Sequence, residues 1–320
     1  MPRRPSKKMT ETDIRLQALP QKEAVLGGDT VAFADYLTFV GVSLYEGSRF
    51  DEARSLFQKA LDIREKLLAV DHEDTAEALN NLARTYLAEG NYVAAEPLFK
   101  RALPMQERAL GAEHLSVASG QHNLAELYRV MHLFDKAEPL YLKAIKIKES
   151  QLGSDHAEVA TALNSLALLY CDQGRLKDAE SIYEKVVKIQ EKLLGSDSPI
   201  LATTLNNLGN LFAESEQFNK AESSYRKALN IRERAFSPEH PKVAESLNNL
   251  GMLYHRHGKF NRAESLYARA IEIWESTLGP DHANVAACLE NYAGLLRKTN
   301  REIEAVALEQ RVHMIRDQNS

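Results

Sequence analysis

Residues 246–254 read SLNNLGMLY. Leu247, Leu250, Gly251 and Tyr254 fall at i, i+3, i+4 and i+7, which is one face of an α-helix. Asn248 and Asn249 lie off that face, an unexpected place for side chains whose amides compete for backbone hydrogen bonds. HRHGKF then breaks the helix, with Gly258 suited to the turn. The following NRAESLYARAIEIWE resumes the helical period through Ala263, Leu266, Tyr267, Ala270 and Ile271. The stretch is a helix-turn-helix, and tiny Gly251 and Ala263 mark where its two helices approach closely.

The unit repeats every 42 residues. Ala53, Ala95, Ala137, Ala179, Ala221, Ala263 and Ala305 keep that spacing. So do Gly41, Ala83, Ala125, Ala167, Gly209, Gly251 and Ala293, and the aromatic series Phe57, Phe99, Tyr141, Tyr183, Tyr225 and Tyr267. Two registers agreeing over seven units and a third over six define a tandem array. Its expected repeats are 26–67, 68–109, 110–151, 152–193, 194–235, 236–277 and 278–319. The links LGAEH, LGSDH, LGSDS and LGPDH each place Gly after the second helix of their repeat. Ser198-Pro199 and His240-Pro241 look like an N-cap followed by a first-turn proline, so His72, His114, His156, His240 and His282 are expected at helix entries. Glu302 and Glu309 stand where Phe260 and Tyr267 stand one unit earlier, the polar outer face of a terminal cap. Residues 1–25 open with MPRRPSKKMT and are expected to form a disordered basic and polar tail.

Of 320 residues, 44% are hydrophobic and 27% charged, with a net charge of −5, which disfavours nucleic acid as a partner. No apolar run is long enough for membrane insertion, and no apolar leader opens the sequence. Cys171 and Cys288 lie far apart and outside any metal-ligand spacing, so a reduced, cytoplasmic protein is expected. The sequence holds no GxxxxGK[ST], HExxH or GxSxG. Cys171 and His255 are two repeats apart, too far for a nucleophile and its base. No catalytic residue, metal site or cofactor is expected.

The pattern Leu-x-x-Leu-Gly-x-x-Tyr, then Gly-x-Phe-x-x-Ala-x-x-x-Tyr-x-x-Ala, filled by Leu247 through Ala270, resembles tetratricopeptide (TPR) repeats. The 42-residue unit resembles those of kinesin light chains. About 25 residues precede the array, interrupted by Pro20, too few for the coiled coil with which those chains hold a motor. The resemblance implies an all-α, right-handed α-solenoid whose first helices line a concave groove. It also implies a non-catalytic adaptor or scaffold that binds an extended protein or peptide ligand, as a component of a multiprotein complex. A self-associating assembly unit, or a sensor whose groove holds its own tail, are the alternatives.

Counting Ala244 as position 1 of a first helix and turning 100° per residue sets positions 5, 6, 9, 12 and 13 on the arc opposite the core face. The expected groove residues are Asn80, Asn81, Arg84, Asn123, Arg129, Asn164, Leu168, Asn206, Asn207, Asn210, Asn248, Asn249, Met252, Arg256, Asn291 and Arg297. A primary amide offers a donor and an acceptor together, so a row of them can grip a peptide backbone whatever its side chains. The position-6 amides could equally tie neighbouring helices together. Arg256, Arg297 and Lys298 make the C-terminal third of the groove basic, while Glu126, Asp172 and Glu214 make its centre acidic.

Overall fold

The structure is a computed structural model that describes residues 10–318. It is all-α, with no strand among the described residues. The chain forms two compact units, one ending at Ser154 and one beginning at Asp155. The first contains two short helices, α1 (Glu11–Gln17) and α2 (Leu19–Leu26), and three hairpins. These are α3 (Val31–Glu46) with α4 (Phe50–Leu67), α5 (Glu73–Ala88) with α6 (Tyr92–Leu110), and α7 (Leu115–Val130) with α8 (Phe134–Leu152). The second contains four: α9 (Ala157–Asp172) with α10 (Leu176–Leu194), α11 (Pro199–Glu214) with α12 (Phe218–Ala235), α13 (Pro241–Arg256) with α14 (Phe260–Leu278), and α15 (Ala283–Lys298) with α16 (Glu302–Gln318). Successive hairpins follow one another at the 42-residue period, and none of these helices is long and apolar enough to cross a membrane.

Local chemistry repeats with the fold. Each first helix is entered through a side-chain cap. In five of them the His Nδ1 accepts the backbone N–H two residues on, as His240 does from Lys242 at 3.1 Å. The turn inside each hairpin needs one left-handed residue, and that residue is Ser48, Gly90, His132, Gly174, Glu216, Gly258 or Asn300. At the close approach read from the sequence, the tiny residue of the first helix packs against the aromatic ring of the second. A Cβ added at Gly209 would lie 2.6 Å from the Tyr225 ring, and one at Gly251 would lie 2.8 Å from Tyr267. The core is this aromatic row with its surrounding leucines and alanines.

Between repeats, a charge pairing recurs on the second helices. In the first unit Lys59 meets Glu23 at 2.9 Å and Arg101 meets Glu65 at 2.6 Å; in the second, Arg269 meets Glu233 at 2.8 Å and Arg311 meets Glu275 at 2.6 Å. A buried arginine also fastens one repeat to the next. Arg64 donates to the Asp74 carbonyl at 3.2 Å, and its counterpart Arg232 donates to the Lys242 carbonyl at 3.0 Å and the Ser246 hydroxyl at 2.8 Å.

Residues 10–25, expected to be disordered, are helical instead. Thr10 and Asp13 form a reciprocal capping box on α1, and Pro20 sits in the first turn of α2, where its missing N–H is harmless. Leu19 and Leu26 pack on the cluster around Phe33, Leu37 and Ile63, and Arg49 pairs with Asp13 at 2.5 Å. The basic run before Thr10 lies outside the described residues.

Candidate peptide-binding surface

The asparagines of neighbouring first helices meet side by side. In the first unit Asn123 Nδ2 donates to Asn80 Oδ1 at 3.1 Å. In the second, Asn249 donates to Asn206 and Asn291 donates to Asn248, both at 3.2 Å. Position 6 of one repeat therefore donates to position 5 of the repeat before it. Each bond fixes which way both amides point, since reversing either would set like groups against each other. It also leaves one acceptor and one donor per rung. Among the described residues, Oδ1 of Asn123, Asn249 and Asn291 has no protein partner, and neither has the amide nitrogen of Asn80 or Asn206. The amide nitrogen of Asn248 reaches only the Met252 sulfur, at 3.6 Å.

The remaining positions differ in what they present. Asn81 and Asn206 are buried, at 7% and 4% exposure, so little of either reaches the surface. Asn164 carries a buried Oδ1 with no partner, while Asn207 and Leu168 are half-buried. Asn210, Met252 and Arg256 are exposed. Arg84 lies over the Tyr45 ring, 4.8 Å from its centroid.

Two charges read as groove determinants are already compensated. Arg129 pairs with Glu126 at 2.5 Å, so neither offers a bare charge. Arg297 is clasped by Glu309 at 2.8 Å and by Glu302, the same two glutamates that replace the aromatic residues in the last repeat. The polar cap thus recruits a first-helix arginine.

Single-repeat arithmetic missed the tyrosine hydroxyls. Tyr141 donates to Glu126 at 2.5 Å and Tyr225 to Asn210 at 2.6 Å, reaching through each hairpin from the second helix to position 9 of the first. The aromatic row did not single them out, because Tyr also accompanies the apolar position-9 residues Leu168 and Met252, as Tyr183 and Tyr267. Burial opposes ionisation of Glu126, but the bonds from Arg129 and Tyr141 outweigh it and hold the carboxyl below its ordinary pKa. Beside it His122 packs edge-on against Tyr141, and burial pushes its pKa down to about 4. Burial likewise lifts Cys171 to about 11 and Cys288 to about 12, leaving both as poorly nucleophilic thiols. No His, Cys, Asp or Glu cluster among the described residues could hold a metal.

A Tetratricopeptide repeat family profile matches residues 33–108, 116–192, 158–234, 201–275 and 244–318. The sequence matches no curated protein. Among solved structures, a Podosopora anserina kinesin light chain with nearly identical TPR-like repeats is 25% identical, with a TM-score of 0.56 over 65% of this chain and 99% of that one. BtubC (BKLC) from P. vanneervenii is 23% identical, with a TM-score of 0.58 over 85% of this chain and 94% of that one. A Rap protein complexed with Competence and Sporulation Factor is 14% identical, with a TM-score of 0.65 over 96% of this chain and 81% of that one. At these identities the last two carry the fold alone.

Proposed function

Since the chain belongs to the tetratricopeptide repeat family, we propose that it is a non-catalytic adaptor whose first helices bind an extended segment of another protein. The observation that carries this reading is the set of oriented amide rungs. Each rung couples two helices and leaves the acceptor of its position-6 amide unused, and the Asn123–Asn80 rung also leaves a donor, the two functions that an extended backbone itself alternates. Tie and grip are therefore compatible roles of the same side chains. The likeness to the kinesin light chain repeats supports an adaptor of that type, with a cargo or partner segment as its ligand. In the second unit, exposed Arg256 and Lys298 favour carboxylates in that segment, and exposed Met252 offers an apolar contact. Each exposed charge contributes only ~0–1 kcal/mol, so affinity depends on many contacts at once.

A displayed random-peptide library tests this on the parent chain, an Asn207→Leu variant and an Asn249→Leu variant. Asn207 has no side-chain partner among the described residues, so its replacement is expected to abolish peptide enrichment with an unchanged melting curve. Asn249→Leu breaks the Asn206 rung and is expected to lower both. Peptides that enrich equally on all three proteins would remove the amides from the binding site and leave them a structural role.

A further inference from the structure

We propose that the second-helix face of the second unit carries a separate docking groove, between α12 and α14, for a short partner segment in which carboxylates adjoin a leucine-sized side chain. The groove has a volume of about 740 Å³, within the range of ligand-binding clefts. Its floor is the buried side of α13, and half-buried Leu229 and Leu266 face each other as its walls.

One end of the groove carries surplus positive charge. Glu222 is the carboxylate there, and Tyr254 already donates its hydroxyl to it at 2.7 Å. Arg226 approaches the same carboxylate only to 3.8 Å and Lys259 only to 3.6 Å. Arg262 lies over the Tyr254 ring at 5.8 Å and has no carboxylate partner among the described residues. Two cations thus share one carboxylate and a third has none, all at the edge of an apolar trough. Guanidinium groups are planar forks matched to carboxylates, and here two of them flank the place where one would enter. At the other end Arg269 is neutralised by Glu233 at 2.8 Å, so the attraction is confined to one end and gives the segment a direction.

This composition belongs to one repeat pair. Counterparts of Arg226 and Arg262 read Gln58 and Ala94, Lys100 and Lys136, Leu142 and Asp178, and Glu184 and Lys220. In the pair that carries two lysines, Pro104 and Pro139 stand where Asn230 and Ser265 line the groove. The site lies on second helices and does not depend on the amide rungs.

The test uses the full chain and a fluorescein-labelled peptide, Glu-Asp-Glu-Leu-Asp-Leu, read by fluorescence anisotropy beside its Gln/Asn counterpart. The variant is Arg262→Asp with Leu266→Ser. Asp178 and Ser224 occupy those positions in other repeats, so the helix accommodates both. The acidic probe is expected to bind the parent, to weaken with added salt, and to lose about tenfold in affinity on the variant. The Gln/Asn peptide is expected to bind poorly, and Asn207→Leu to leave the acidic probe unaffected. Equal binding to parent and variant, no binding to the parent, or loss on Asn207→Leu alone would each overturn the assignment. Sedimentation of the parent showing self-association that Arg262→Asp removes would make a second copy the occupant and overturn it too.

Discussion

At the scale of single residues, burial decides more than residue type. His122 occupies a position that is Asn80, Asn164, Asn206 and Asn248 in other repeats, and it is sealed against Tyr141. Lys148 and Arg84 also disfavour its charged form, and Glu126 only partly offsets them. Its folded pKa, about 4, lies below the ordinary 6.5, so the unfolded chain takes up the proton first. Its contribution to stability is complete above the ordinary value and is lost as pH falls from there toward 4. That contribution has a ceiling of about 3 kcal/mol, because each tenfold loss of proton affinity on folding is worth about 1.4 kcal/mol. Urea midpoints at pH 7 and pH 4.5 should differ less for His122→Asn than for the parent; an identical pH response would refute the sealed imidazole. The helix-entry histidines were legible because Ser198 substitutes for one of them beside a proline. The amide rungs were legible only in part. Helical rotation places Asn248 and Asn249 on one arc, but nothing within a single repeat says that the next one brings Asn291 alongside Asn248.

At the scale of helices, the hairpins follow directly from the period, whereas α1 and α2 were obscured by Pro20. A proline breaks a helix interior but fits a first turn, and a sequence alone does not say which turn it occupies. The missed cue was register: Glu23 and Gly27 lie 42 residues before Glu65 and Ala69 and continue the series at the end of each second helix. Helix α6 shows the opposite tolerance, with Pro97 and Pro104 inside it. Pro104 is exposed, as is Lys100, whose carbonyl loses its intrahelical donor, so water can satisfy that group. Pro104→Ala is expected to raise the unfolding free energy by about 1–3 kcal/mol, following the helix propensities of the two residues. A lower urea midpoint for that variant would show that the proline fits a local bend that alanine cannot.

At the scale of the whole chain, the 42-residue period was readable, and the division after Ser154 was not. The link LGSDH at 152–156 matches the links elsewhere in composition, so no local signal distinguishes it. The ends are where the array departs from its own rule. At the N-terminus α1 and α2 cover the face of α3 and supply Glu23 to Lys59. Deleting residues 1–28 uncovers Phe33, Leu37 and Ile63, and is expected to lower stability by about 2–4 kcal/mol for the burial contributed by Leu19 and Leu26. Urea denaturation of the truncated chain gives the answer, and an unchanged midpoint would make these helices passengers.

The second-helix pairing has a hereditary consequence. The same acid recurs at 23, 65, 107, 149, 191, 233 and 275, from α2 through the sixth repeat, and each following repeat answers with a base at 59, 101, 143, 185, 227, 269 and 311. The code names a neighbour's side but not which neighbour. A duplication or loss of 42 residues in the gene rejoins an acid to a base and asks for no compensating mutation. Copy number can therefore drift while the fold survives, and only the two terminal caps must be inherited intact.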